Sequence, residues 1–295
     1  MDYYTKIKTK LIDNEIYEKV KDYSKERNRV ITYYEVGKLL YEAGSVYGED
    51  IIGKYAEKLE NDVKRTYNYR TLYRMRKFYT IFSNEILTPM VSKLSWSHYI
   101  QLISLKNINE IKYYIDISLQ ENLTKRQLIE RIKRNEYERL DDKTKNKLKN
   151  NKEITVTDFI KNPIIIKNNN YEEITEKILQ KLILENISSF MKELGVGFTY
   201  VDNEFKIKIG SSYNYIDLLL FNYIYNCFIV IELKITELKK EHIGQILTYM
   251  NYIDKNVKTI NQDKTIGIII VKRNNEFIME YCSDNRIYAR EFILN

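Results

Sequence analysis

Two stretches, YIDLLLF (215–221) and FIVIELK (228–234), limit what this chain can fold into more than any other feature. Both are strand-length apolar runs and read as neighbouring buried strands. Asp217, Glu232 and Lys234 nevertheless stand inside them. An ionised side chain in such a place costs several kcal/mol unless it is paired or bound to a metal.

Side chains alternate along a strand, so Glu232 and Lys234 point to one face, and pairing of the two runs can bring Asp217 to the same end. Two carboxylates a few ångströms apart repel and push one pKa up unless a divalent cation lies between them. Magnesium is the expected ion, with manganese as the alternative, because Mg2+ takes carboxylate oxygens, keeps several waters and bridges to phosphate. Lys234 beside it suits a water or a developing oxyanion, as in phosphodiester hydrolysis. The bland alternative is a structural ion pair.

The surrounding chain has two regimes. From about residue 12 to 140 the apolar spacing is near 3.6, as in VITYYEVGKLLYEA (30–43) and LYRMRKFYTIF (72–82), so this half is expected to be helical. Residues 141–170 are polar, Asn- and Lys-rich and hold one of two prolines. The expected division is a helical domain over 1–145, a linker over 146–170 and a second domain over 171–295. In the second domain the segment 172–195 reads as one amphipathic helix closed by Gly195, followed by FTYV (198–201), FKIKI (205–209), the two buried strands, a helix over 240–254 and a strand over 265–272. That order is an α/β domain with a mixed sheet.

The arrangement Ile216-Asp217 followed by Glu232-Leu233-Lys234 resembles the PD-(D/E)XK nuclease superfamily, with Ile216 where the superfamily's proline stands. Gln245-Ile-Leu-Thr-Tyr249 matches the Q-x-x-x-Y element of its RecB-like members. The resemblance implies a restriction-endonuclease-like core in which Asp217 and Glu232 bind metal, the Leu233 carbonyl adds a ligand and Lys234 positions the attacking water. Gln245 and Tyr249, one helical turn apart, would orient Lys234 or contact a phosphate; their alternative is plain packing. In that fold the first helix often supplies a third acid. Glu185 is the choice, with Glu176 and Glu193 as rivals. His98 and His242 are the only histidines, so no histidine-rich metal site can be built. The order GFTYV, YIDLLLF, FIVIELKI, EHIGQILTYMNYID is similar to the YhcG-type family of PD-(D/E)XK nucleases along essentially the whole chain. This implies a bacterial or mobile-element protein, with genome defence, mobile-element maintenance and repair all open as roles.

The net charge of +7 is unevenly placed: residues 51–150 hold 21 Lys/Arg against 12 Asp/Glu, and residues 151–295 hold 18 against 19. The basic excess therefore belongs to the helical half. NYRTLYRMRKF (68–78) sets Arg70, Arg74 and Lys77 on one face with Arg76 beside them, a short turn after the helix 50–63. This is a helix-turn-helix layout, and with LSWSHYIQLISL (94–105) and ENLTKRQLIERI (121–132) it resembles ParB-type DNA-binding domains. Those basic residues would neutralise phosphates and reach base edges while Tyr67, Tyr69 and Tyr73 pack or hydrogen-bond to the backbone. The alternatives are a solvated basic face and a unit that binds a protein partner or dimerises.

The expected function is a Mg2+-dependent endonuclease whose helical half docks on DNA. Its rivals are a silent nuclease-like DNA-binding or assembly module and an RNA-cleaving effector. A homodimer suits double-strand cutting without being required, and the sequence names no protein partner. No stretch approaches the roughly 20 apolar residues of a membrane helix, and the start MDYYTKIKTK lacks the apolar core of a signal peptide. The expectation is a cytoplasmic protein with Cys227 and Cys282 reduced.

Overall fold

The computed structural model describes residues 2–19, 24–48, 50–64, 66–85, 87–150, 152, 155, 157–169 and 171–295. The chain divides into two compact units, Met1–Tyr137 and Glu138–Asn295.

The first unit is helical: α1 (Tyr3–Lys19), α2 (Lys25–Tyr47), α3 (Asp50–Asp62), α4 (Tyr69–Phe82), a 3-10 turn (Thr88–Met90), α5 (Trp96–Leu102), α6 (Ile108–Gln120) and α7 (Lys125–Lys133). The stripe Leu72, Met75, Phe78 and Phe82 buries one face of α4, and Val36, Leu40, Leu59 and Leu72 share one core. The Asn68 side chain accepts the Thr71 N–H and so starts α4. On α7, buried Arg131 is ion-paired with Glu136 and Glu121 and so is part of the fold.

The second unit contains α8 (Asp142–Lys149), β1 (Ile164–Ile166), α9 (Glu176–Glu185), α10 (Ile187–Leu194), β2 (Phe198–Ile209), β3 (Ser212–Asn222), β4 (Cys227–Glu237), α11 (Lys240–Asn256), β5 (Asp263–Arg273), α12 (Glu276–Glu280) and β6 (Ile287–Leu294). Six strands form a mixed sheet in the order β1-β6-β5-β4-β3-β2. Strands β2, β3 and β4 are antiparallel neighbours, and β4, β5, β6 and β1 run parallel.

Each face of this sheet is covered. Leu218, Leu220, Ile229, Ile231, Leu233, Ile268 and Ile270 pack on Leu179, Leu182, Ile183 and Phe190 of α9 and α10. Ile216, Leu219, Val230, Ile269 and Val271 pack on Ile246, Tyr249, Met250 and Ile253 of α11. Coverage on both sides is why the strands read as unbroken apolar runs.

Three details differ from the sequence expectation. The units part at Tyr137, and the stretch 146–170 holds the end of α8 and strand β1, whose Ile164–Ile166 pairs with Phe292–Leu294; residues 151, 153, 154, 156 and 170 of that stretch lie outside the described residues. The segment 172–195 is two helices, broken at Asn186 with φ −122° and ψ 32°. FTYV and FKIKI are one strand, β2, with an irregularity near Val201.

No helix among the described residues is long and apolar enough to cross a membrane.

Candidate active site

The β3–β4 ladder runs from Asn222↔Cys227 to Leu218↔Ile231 and ends there. The next pair would have been Asp217 and Glu232. In its place the Asp217 side chain takes over as acceptor, its Oδ2 receiving the Leu233 N–H at 2.7 Å. The Asp217 main-chain carbonyl accepts from Gln180 Nε2 at 2.8 Å. Both ends of this residue are thus tied, one to β4 and one to α9.

Strand β4 stays paired on its other side, Glu232↔Ile269, Leu233↔Ile270 and Lys234↔Val271, so Glu232 and Lys234 stand on rigid backbone. Ile231 and Leu233 belong to the α9–α10 core, and Glu232 between them faces the α11 side with Val230. Glu232 is 2% exposed. Its Oε2 lies 3.3 Å from Lys234 Nζ, and its Oε1 is buried without a hydrogen-bond partner. Lys234 Nζ is also 3.6 Å from Glu176 Oε2 at the start of α9.

Burial, then the negative charge of Asp217, pushes the Glu232 carboxyl up to about 8, against the pull of Lys234. Asp217 is also raised, chiefly by burial, with the Leu233 N–H and Lys234 opposing. For Lys234, burial works toward the neutral form, yet Glu232, Glu176 and Asp217 outweigh it and hold the ammonium above its usual range. Lys234 is therefore a cation and a hydrogen-bond donor, not a base.

Gln245 and Tyr249 share a face of α11, with Gln245 Nε2 donating to the Tyr249 hydroxyl at 3.1 Å. Burial raises the Tyr249 hydroxyl, and Glu232, Asp217 and Lys234 all act on it. His242, whose Nδ1 accepts the Lys239 N–H at the start of α11, is lowered by burial and then by Lys234.

Among the described residues no group of three or more His, Cys, Asp or Glu is close enough to hold a metal ion. Two features nevertheless suit a divalent cation. One is the buried, unpartnered Oε1 of Glu232 beside a second raised carboxylate. The other is the Leu233 carbonyl: it points to the same side as its N–H, toward β3, where the ladder has ended.

The helix acid at this cluster is Glu176, not Glu185. Glu185 sits at the far end of α9, nine residues or roughly 13 Å along the axis. It is exposed, accepts from Asn169 Nδ2 at 2.8 Å and lies 3.9 Å from Lys181. Glu193 is fully buried, bonded to Arg139 at 2.5 Å and accepting the Ile165 N–H at 3.1 Å, so it holds β1 and α10 in place. Gln180, the residue the motif reading missed, had a signal: a polar side chain one turn after Glu176 on the buried face of an amphipathic helix.

In the first unit, Arg70, Tyr69 and Tyr73 are exposed on α4, with the tyrosine rings stacked at 6.3 Å. Arg74, Arg76 and Lys77 are half-buried, and the Arg76 guanidinium runs along α2 near Gly44. Tyr67, in contrast, is buried and donates to Glu15 at 2.6 Å.

Residues 152–292 match the YhcG PDDEXK nuclease domain and residues 11–139 the DUF1016 N-terminal domain. The Escherichia coli (strain K12) protein named "Putative nuclease YhcG" is 24% identical over 282 residues, covering 81% of this chain and 75% of that protein. Among solved structures, a repair endonuclease from Pyrococcus abyssi is 20% identical over 42% of this chain and 49% of its own, with a TM-score of 0.30. An EndoMS–dsDNA complex is 20% identical over 42% and 48%, with a TM-score of 0.31. The chain spans about half the length of those two structures. By its two domain matches, which together run from residue 11 to 292, the chain belongs to the YhcG-type family of PD-(D/E)XK nucleases.

Proposed function

We propose that this nuclease is a Mg2+-dependent endonuclease acting on DNA, with its catalytic centre at Asp217, Glu232 and Lys234 and with the helical unit docking on DNA. The observation that carries the reading is the buried Glu232 carboxylate, one oxygen on Lys234 and the other unpartnered, next to a second carboxylate. Asp217, Glu232 and the Leu233 carbonyl would hold a divalent cation, which would offset that arrangement and supply neutralising charge to the scissile phosphate.

The remaining work falls to the chain's own groups. Lys234, kept charged by Glu232 and Glu176, donates to a phosphate oxygen or orients the attacking water. Asp217 is fixed by Leu233 and Gln180, so the carboxylates need no reorganisation when substrate arrives. Tyr249 and Gln245 close the α11 side and hold their mutual hydrogen bond toward the cluster. Glu176 adds negative charge at Lys234.

For the helical unit, Arg70, Arg74, Arg76 and Lys77 on α4 are the phosphate-contacting groups, with Tyr69 and Tyr73 beside them. The basic balance of residues 51–150 supports this.

The test is incubation of the full chain with plasmid, linear, branched and single-stranded DNA and with RNA, in Mg2+, Mn2+ or EDTA. Internal cuts in DNA that EDTA abolishes are expected. Cleavage of RNA alone would move the substrate, and EDTA-resistant cleavage would remove the cation.

A further inference from the structure

Strand β2 is the edge of the sheet, and β3 pairs with β4 only from Leu218 onward. Residues 212–216 are therefore paired with β2 alone, through Ile209↔Ser212, Lys208↔Tyr213, Ile207↔Asn214, Lys206↔Tyr215 and Phe205↔Ile216. The hairpin, turned at Gly210 with φ +62°, is a two-stranded arm that begins at the candidate active site. One face of the arm is anchored, since Ile207 and Ile216 are buried in the α11 core. The other face is not. It presents Tyr213 at 55% and Tyr215 at 52% exposure, opposite Lys208 and Lys206, and Lys206 Nζ lies 3.9 Å over the Tyr213 ring.

We propose that this Lys–Tyr face of the β2–β3 hairpin binds one unpaired strand of nucleic acid and feeds it toward Asp217. The inference rests on the nuclease reading and adds the state of the substrate at the site. Residues 205–216 carry two lysines and no acidic residue, within a half of the chain whose total charge is near balance, so the arm complements a phosphate backbone. Exposed rings standing off a β-surface stack on unpaired bases, which a duplex keeps inside. At about 3.3 Å per residue, Tyr215 and Tyr213 stand roughly 7 and 13 Å before Asp217 along β3. A strand stacked on them enters the site within a few nucleotides. Lysines on an edge strand also guard against sheet-to-sheet pairing. Guarding alone gives no role to two exposed tyrosines on the same face.

The test uses the full chain in EDTA with fluorescein-labelled single-stranded and duplex oligonucleotides, read by anisotropy over a KCl series. Tyr213→Ala with Tyr215→Ala is expected to raise the single-strand Kd at least about tenfold with the salt slope unchanged. The duplex Kd should move little, and the paired Tyr→Phe variants should bind as the parent does. Lys206→Gln with Lys208→Gln should lower the single-strand salt slope by about 1.4, at roughly 0.7 per charge. Unchanged single-strand affinity in the Ala pair, or an equal loss on duplex, overturns the proposal. So does a concentration-dependent dimer in sedimentation that these variants dissolve, which would make the arm a self-association edge. Hydrolysis of bis(p-nitrophenyl) phosphate in Mg2+, a diester too small to reach the arm, separates the two readings. It should be unaffected by the hairpin variants, and its absence in the parent counts against the nuclease centre alone.

Discussion

The Asp217 carboxylate accepts the Leu233 N–H at 2.7 Å, in the position where a β3 carbonyl would otherwise continue the ladder. One side chain thus ends a strand pairing and stands at the proposed catalytic centre. The two roles can be separated. Asp217→Asn keeps an acceptor for Leu233 and should fold with near-parent stability while losing cleavage by at least about a hundredfold. Asp217→Ala leaves that buried N–H unpaired and should cost a further 1 to 3 kcal/mol or so in urea unfolding.

Stability should depend on pH through Glu232. Its folded-state value of about 8 lies above the ordinary 4.5, so between those values the folded chain holds a proton that the unfolded chain releases. Stability in EDTA therefore falls as pH rises through that window, by on the order of 3 to 5 kcal/mol, and levels off outside it. Asp217, raised as well, acts in the same direction. Urea unfolding at about pH 5 and about pH 8 measures the slope, and Glu232→Gln should flatten it. Mg2+ should raise the Tm more at the higher pH, where both carboxylates are ionised.

The three helix acids should separate by phenotype. Glu176→Gln removes the charge 3.6 Å from Lys234 and should lower kcat about tenfold or more with little change in Tm. Glu185→Gln, at an exposed end of α9, should leave both unchanged. Glu193→Gln breaks the buried pair with Arg139 and should cost on the order of 3 to 5 kcal/mol in unfolding. Kinetics and melting curves on the three variants, side by side, decide this.

If α4 contacts phosphates, replacing Arg70, Arg74 and Lys77 together with Ala should weaken duplex binding and reduce the slope of log K against log salt by about 2.7, at roughly 0.9 per contact. An unchanged slope would remove the helical unit from DNA docking while leaving the centre at Glu232 untouched.

The parts legible in the sequence were those where one physical pattern ruled. Strands β3, β4 and β5 and helix α11 are apolar with clear periods, and Asp217, Glu232 and Lys234 stood out as charges in that background. Strand β6 was missed because Ala289, Arg290 and Glu291 interrupt its alternation. Strand β1 was missed because Ile164–Ile166 is three residues long inside a polar stretch. Glu185 stands mid-helix only if 172–195 is one helix; the break at Asn186 makes Glu185 the end of α9, while its start is the part that meets Lys234. Gln180 could be recognised only once α9 was seen to pass the Asp217 carbonyl.

As a metal ligand, Glu232 does more than form half of an ion pair with Lys234 in the proposed centre. Plasmid cleavage in Mg2+ by the parent chain and by Glu232→Ala, each checked for folding, tests this role most directly. Internal cutting by the parent, none in EDTA, and a loss of at least about a hundredfold in Glu232→Ala are expected. Equal cutting by the two proteins, or none by the parent with any divalent cation, would contradict it.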